Sequence, residues 1–122
     1  MCKHATTQQW GLWVTLLHQF GTRSSMLGMP KFTTRIQLEG EPSRSDYERL
    51  HAVMRKKGFV QTVVDGSGGE FHLPHAEYDC ESTLPVDQVR DVARQTAESV
   101  WTDVLVFVTQ SGGRSWYLRK VR

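Results

Sequence analysis

Hydrophobic residues follow two different periods along this chain, and the periods predict a short series of strands and helices after residue 28. From Phe32 to Leu38 every second residue is apolar or threonine, which is the pattern of a half-buried strand. Two later segments repeat apolar residues every three or four positions, as one face of an amphipathic helix does. The predicted elements are strand Phe32–Leu38, helix Ser45–Lys57, strand Phe59–Val64, strand Glu70–Tyr78, helix Leu84–Val100 and strand Val104–Val108.

Capping and turn residues support these boundaries. Ser45, with Glu48 three residues later, predicts a capping box at the start of the first helix, and Gly58 suits its C-terminal end. The glycine-rich segment 65–69 predicts a tight turn between the second and third strands. Pro74 lacks a backbone N–H for the strand ladder, so we expect a bulge or bend in the third strand.

The order β-α-β-β-α-β predicts an α+β protein, in the form of a ferredoxin-like sandwich with a four-stranded antiparallel sheet. Val104–Val108 is continuously apolar, so we expect both faces of this strand to be covered. Trp116–Val121 predicts an extra short C-terminal strand beside the fourth. Residues 29–122 are expected to form the domain. Residues 1–28 are an N-terminal extension, either one amphipathic helix (Trp10–Phe20) or an upstream mis-start before Met29.

Composition and charge indicate one globular domain that carries a formal net charge of +2. Acidic residues concentrate between Asp65 and Asp103, whereas the first half and the C-terminus are basic. The apolar segment 10–20 is too short to span a membrane and makes a poor signal peptide. Cys2 and Cys80 lack the spacing of a metal site. We therefore expect a cytoplasmic protein without membrane association, bound metal or cofactor.

Few residues indicate chemistry. Glu39 ends the first strand, where a carboxylate could hold a divalent ion or polarise water. His51 lies in the middle of the first helix and could act as a general base. We predict Glu39 and His51 as the catalytic residues. His72 and His75 could bind a metal or act as acid and base, but no third ligand lies near them, and we interpret them as surface histidines.

Basic residues and aromatic residues are interleaved near the C-terminus, between Arg114 and Lys120. Aromatic side chains beside arginines on a sheet can stack nucleobases, and arginines on the first strand and helix can contact phosphates. The predicted nucleic-acid contacts are Arg35, Arg49, Arg55 and Arg114.

Residues 31–108 resemble the GhoS-like antitoxin family of bacteria. The residues that carry the resemblance are Lys31–Thr34, Leu50 and Met54 before Gly58–Phe59, Val64–Asp65, Leu73–Pro74, Tyr78, Leu84 and Val89. Members of this family look like the small ferredoxin-fold nucleases of CRISPR systems, which place an acidic residue where Glu39 ends the first strand. The resemblance implies a small ferredoxin-like domain, dimeric, that binds or cuts RNA.

Two functions are therefore open. The first is a bacterial or phage RNA-binding protein, in its catalytic form an antitoxin-type endoribonuclease acting on mRNA. The alternative is a non-catalytic protein-binding module, an inhibitor that uses the acidic half or an exposed sheet edge. In both cases we expect a homodimer, because the apolar fourth strand offers an edge for pairing.

Overall fold

The computed structural model describes residues 28–122, which form an α+β fold. Its elements are β1 (Lys31–Leu38), α1 (Arg44–Lys56), β2 (Thr62–Val64), β3 (Glu70–His72), β4 (Glu77–Glu81), α2 (Val86–Glu98) and β5 (Val104–Gln110). The order agrees with the sequence prediction except that two strands, β3 and β4, stand where one was predicted. The predicted helix at Trp10–Phe20 lies outside the described residues.

Strand β1 is the central strand of an antiparallel sheet in the order β4-β1-β5. Its side chains alternate strictly: Phe32, Ile36 and Leu38 are buried, while Arg35 and Gln37 face solvent. The predicted period of two is therefore confirmed, and it places one apolar face of the sheet against the helices.

The core lies between that face of the sheet and the two helices. The predicted apolar stripe of α2 is buried as expected, and α1 adds Leu50 and Met54. The cluster consists of Phe32, Ile36, Leu38, Leu50, Met54, Phe59, Tyr78, Cys80, Leu84, Val89, Val92, Ala93 and Ala97. Each large side chain in it contributes about 1.5–3 kcal/mol by its removal from water, so this cluster holds α1 and α2 in place.

The N-cap of helix α1 lies two residues earlier than the capping pattern at Ser45 predicted. Ser43 is the N-cap: its hydroxyl accepts from the Asp46 N–H at 3.2 Å, and the Asp46 carboxylate accepts from the Ser43 N–H at 2.7 Å. The capping box is real but uses the neighbouring serine. At the other end, Gly58 has φ +91°, the left-handed conformation that commonly ends a helix.

The predicted third strand is split where Pro74 was expected to bend it. Residues 70–72 form a separate two-stranded hairpin with β2, and β4 starts at Glu77. The predicted single four-stranded sheet is thus replaced by a three-stranded sheet and a hairpin. One antiparallel bridge, between Val60 and Asp79, connects the chain before β2 to the outer edge of β4.

The sequence predicted that the C-terminal tail (residues 111–122) lies beside β5, but in the structure it does not. At the start of the tail, the Ser111 N–H donates to the Lys31 carbonyl of β1. Near its end, the tail pairs with β3 through a bridge between Phe71 and Lys120. The extra C-terminal strand is therefore reduced to one bridge on the hairpin.

Within residues 28–122, the outer face of β5 is exposed. The expected cover for this face, a partner chain or the N-terminal segment, lies outside the described residues, so that expectation stays a prediction. Leu105 is 52% exposed and Phe107 is 70% exposed, beside Gln37 and Arg35 on β1. Among the described helices, none is long and apolar enough to cross a membrane.

The position of the cap gives a first testable prediction. Ser43→Ala should lower the free energy of unfolding by about 1 kcal/mol, because it leaves the Asp46 N–H without its side-chain acceptor. Ser45→Ala is the matched control and should change stability by less than half as much. Urea denaturation of both variants measures this, and a larger loss for Ser45→Ala would mean that the cap is assigned to the wrong serine.

Candidate active site

Four ring side chains meet where α1 packs over β4. Tyr47 and His51 lie one turn apart on α1, His75 lies in the loop before β4, and Tyr78 lies in β4. We refer to these four residues as the His–Tyr cluster. The imidazole centroids of His51 and His75 are 5.5 Å apart with the rings nearly perpendicular, so the cluster presents two titratable groups at one place.

Hydrogen bonds and ring contacts hold the cluster to the core. Nδ1 of His51 and the hydroxyl of Tyr78 are 2.7 Å apart, and Tyr78 is fully buried. The Tyr47 hydroxyl accepts from the Leu38 N–H at 3.0 Å, at the end of β1. The Tyr47 ring lies 4.6 Å from that of His75. The α1 helix and the sheet therefore both orient the imidazole of His51.

The protonation states follow from burial and from nearby cations. Partial burial lowers the pKa of His51, and the positive charges of His75 and Arg55 lower it further, against a smaller opposing effect of Glu48. Burial raises the pKa of the Tyr78 phenol, with Tyr47 adding to the shift, so this hydroxyl keeps its proton at neutral pH. His51 is consequently a neutral imidazole at pH 7.

The loop before β4 directs His75 toward α1. The Glu77 N–H donates to the Pro74 carbonyl at 3.1 Å, and Ala76 between them has φ +60°, a conformation that costs a residue with a Cβ about 1–2 kcal/mol. Ala76 is buried, and its carbonyl accepts from the Ile36 N–H of β1. The core thus sustains a strained turn whose exposed residue is His75.

The arrangement suits proton transfer. In one tautomer the His51 Nδ1–H donates to the Tyr78 oxygen, which leaves Nε2 free to accept a proton from a substrate. His75 is exposed and supplies a second imidazole within reach of the same substrate. A pair of this kind can remove a proton from one oxygen and return a proton to another.

Glu39, the second predicted catalytic residue, does not share partners with His51. Its carboxylate accepts from the Gln37 amide at 2.5 Å, and its carbonyl accepts from the Trp101 indole at 2.7 Å. Its N–H donates to the Asp103 carbonyl. Glu39 therefore closes the end of the sheet, whereas His51 belongs to a site beside β4.

The structure spreads the four predicted phosphate-binding arginines over several surfaces. Arg49 forms an ion pair with Asp46, Arg35 lies 3.9 Å from Glu77, and Arg114 donates to Asp79 at 2.7 Å with both side chains largely buried. Arg55 forms no ion pair with a described carboxylate, and its positive charge lowers the pKa of His51. Of the four, Arg55 is the one placed beside the His–Tyr cluster.

Within residues 28–122, no group of three His, Cys, Asp or Glu side chains is arranged to hold a metal ion. His72 and His75 are separated by the turn at Pro74: His75 joins the His–Tyr cluster, while His72 lines a groove with the C-terminal tail. The two histidines are close in sequence but belong to different surfaces of the protein.

Comparison with known proteins does not identify a family for this chain. The chain matches no protein-family model, and no curated protein is significantly similar to it.

Sequence reasoning found His51 but missed its partners. Tyr47 and His51 at i and i+4 were an available signal, because that spacing puts two side chains on one helix face. The addition of His75 and Tyr78 depends on contacts across 24 or more residues of sequence, which no local pattern contains.

The lowered pKa of His51 makes stability depend on pH. The unfolded state binds the proton more tightly, so the contribution of His51 is complete above the unfolded value of about 6.5 and is lost as pH falls through the lower folded pKa. His51→Asn should flatten the fall in unfolding free energy between about pH 7 and pH 5. His72→Asn is the control. Denaturant titrations across that range measure both, and equal slopes for His51→Asn and wild type would contradict the assignment.

Proposed function

We propose that this protein binds RNA and cleaves it at the His–Tyr cluster without a metal ion, as an endoribonuclease of the antitoxin type. The observation that carries the proposal is the pair of imidazoles of His51 and His75, 5.5 Å apart at the protein surface. Arg55, whose charge already acts on His51, supplies a cation for the phosphate.

The chemistry uses a group that RNA carries and DNA lacks. Nε2 of His51 takes the proton of a ribose 2′-hydroxyl, and the 2′-oxygen forms a bond to the adjacent phosphorus. The bond from phosphorus to the 5′-oxygen of the next nucleotide breaks, and protonated His75 gives that oxygen a proton. The products are a 2′,3′-cyclic phosphate and a 5′-hydroxyl, and no other reactant is consumed.

We also propose that the domain is a ferredoxin-like variant. The bridge between Val60 and Asp79, with N–H···O distances of 2.9 and 2.6 Å, supports this, because it occupies the position of the fourth strand next to β4. The resulting order, β5-β1-β4 followed by the bridge, fits the split βαβ arrangement with its two helices on one face. The fold alone does not define the activity, and the His–Tyr cluster carries the functional argument.

Cleavage of RNA by the full chain should persist in EDTA and should leave 2′,3′-cyclic phosphate ends. His51→Ala and His75→Ala should each slow cleavage about 100-fold or more, which is the usual contribution of one acid–base group. Arg90→Ala, at an exposed residue of α2, is the control and should cleave at the wild-type rate. The measurement is gel analysis of a labelled single-stranded RNA, beside the same oligonucleotide with 2′-deoxyribose at every position, which should stay intact.

An absence of cleavage by the wild type over a panel of RNAs would contradict the catalytic proposal. Cleavage that requires Mg²⁺ and is lost in Glu39→Ala but not in His51→Ala would move the site to the end of β1. Binding of a protein partner without any action on RNA would favour the alternative, a protein-binding module that uses the acidic half or an exposed sheet edge.

We propose further that the protein is a homodimer through the open face and free edge of β5. Exposed apolar side chains on that face, Leu105 and Phe107, support this, since large exposed apolar groups commonly mark an interface.

The dimer proposal is tested by light scattering at several protein concentrations. Phe107→Ser should shift the mass toward the monomer, because it removes the largest exposed apolar side chain of β5. Val64→Ser, at an exposed apolar residue of the β2–β3 hairpin, is the control and should keep the wild-type mass. A wild-type protein that stays monomeric at high concentration would overturn the proposal.

A further inference from the structure

We infer that the C-terminal tail and the turn after β3 form a binding groove for single-stranded RNA, in which a base stacks on Tyr117 and the backbone contacts Arg119, Lys120 and Arg122. This inference rests on the proposed function and assigns its substrate-binding surface. None of these four residues lies in the segment that resembles a known family. Aromatic and basic residues are interleaved between Arg114 and Lys120, but of these the sequence predicted only Arg114 as a contact.

The groove is built from residues far apart in sequence. It has a volume of about 700 Å³, and its walls are His72 and Pro74 on one side and the C-terminal tail on the other. Its lining includes four basic side chains, those of His72, Arg119, Lys120 and Arg122, and no Asp or Glu side chain.

The tail is held rigidly enough to present these side chains. The His72 N–H donates to the Arg119 carbonyl at 2.9 Å, and the Val121 N–H donates to the Glu70 carbonyl at 2.8 Å. The ion pair of Arg114 with Asp79, at 2.7 Å and largely buried, fixes the tail nearer its start. Backbone groups and Arg114 therefore anchor the tail, which leaves the side chains that line the groove free for a ligand.

Tyr117 is fully exposed, although its neighbours Trp116 and Leu118 are half-buried. Trp116 turns inward, with its ring 6.0 Å from that of Phe71. Tyr117 and Arg119 are both exposed, and both line the groove. An aromatic ring beside a guanidinium, both in water, is the combination on which unpaired bases stack.

The positive charge of the groove is not neutralised by the protein. Arg119, Lys120 and Arg122 form no ion pair with any carboxylate among residues 28–122. Asp65 is an acidic group on which the charge of Lys120 acts: the Ser67 hydroxyl and the Gly69 amide lower the pKa of its carboxyl, and the charge of Lys120 adds to this. Residues 29–122 carry 13 basic and 13 acidic side chains in total, so the basic lining of the groove is a local feature and does not follow from the net charge.

The groove and the proposed catalytic pair are adjacent along the chain. Pro74 lines the groove, and His75 is the next residue, so their Cα atoms are about 3.8 Å apart. In this proposal the RNA strand lies along the basic wall, with its path past Pro74 toward His75. This adjacency, together with the exposed ring of Tyr117, favours RNA over an acidic peptide, which would need the charges but not the ring.

The test is fluorescence anisotropy of the full chain with a labelled single-stranded 2′-O-methyl RNA, which cannot be cleaved through its 2′-oxygen. Tyr117→Ala should raise Kd about 5- to 100-fold, as loss of one stacked base does, and Tyr117→Phe should restore wild-type binding. Arg119→Gln/Lys120→Gln should weaken binding and lower the slope of log K against log salt by about 1.4.

Arg90→Gln/Arg94→Gln on α2 removes the same charge from another surface and is the matched control, which should keep the wild-type slope. Wild-type binding of RNA by Tyr117→Ala and by the groove double variant would overturn the groove and leave RNA binding itself standing. A wild-type protein that does not bind the RNA would overturn the proposed function and the groove together. Displacement of the RNA by polyglutamate with no effect of Tyr117→Ala would overturn the assignment to RNA.

Discussion

Strand β1 is the constraint on which the other elements depend. It is hydrogen-bonded along both edges, to β4 and β5, and its inward side chains form the floor of the core. Its backbone also forms hydrogen bonds with three other parts of the chain: Leu38 with Tyr47 of α1, Ile36 with Ala76 in the turn before β4, and Lys31 with Ser111 at the start of the C-terminal tail. Because every part of the proposed site is attached to β1, a shift of one residue in its register would disperse that site.

Secondary structure that depends on residues a few positions apart could be predicted from the sequence. The pairing of one element with another could not. The alternation of β1 and the apolar stripe of α2 follow from residues a few positions apart. The C-terminal tail has the composition of a strand, but its neighbour is decided by the ion pair of Arg114 with Asp79 and by the ring contact of Trp116 with Phe71. Both contacts span more than 30 residues, so local pattern could not show that the tail joins β3.

The same distinction explains the cap and the candidate site. Ser43 and Ser45 each precede an acidic residue by three positions, so the capping pattern alone could not choose between them. His75 was grouped with His72 because the two are close in sequence, whereas His72 ends β3 and His75 lies in the turn in which Ala76 takes a left-handed conformation. That conformation is rare for a residue with a Cβ and has no sequence signal when alanine occupies it.

The electrostatics of the His–Tyr cluster couple substrate binding to basicity. Partial burial of His51 lowers its pKa most, and the positive charges of His75 and Arg55 lower it further. An anionic phosphodiester beside them would offset their charge and favour protonated His51, because a nearby opposite charge stabilises the charged form. His51 would then be a stronger base with RNA bound than without it. Tyr78 cannot take over that role, since burial keeps its hydroxyl protonated. The imidazole of His51 is therefore the one group of this cluster that is both neutral and held in place to accept the proton of a 2′-hydroxyl.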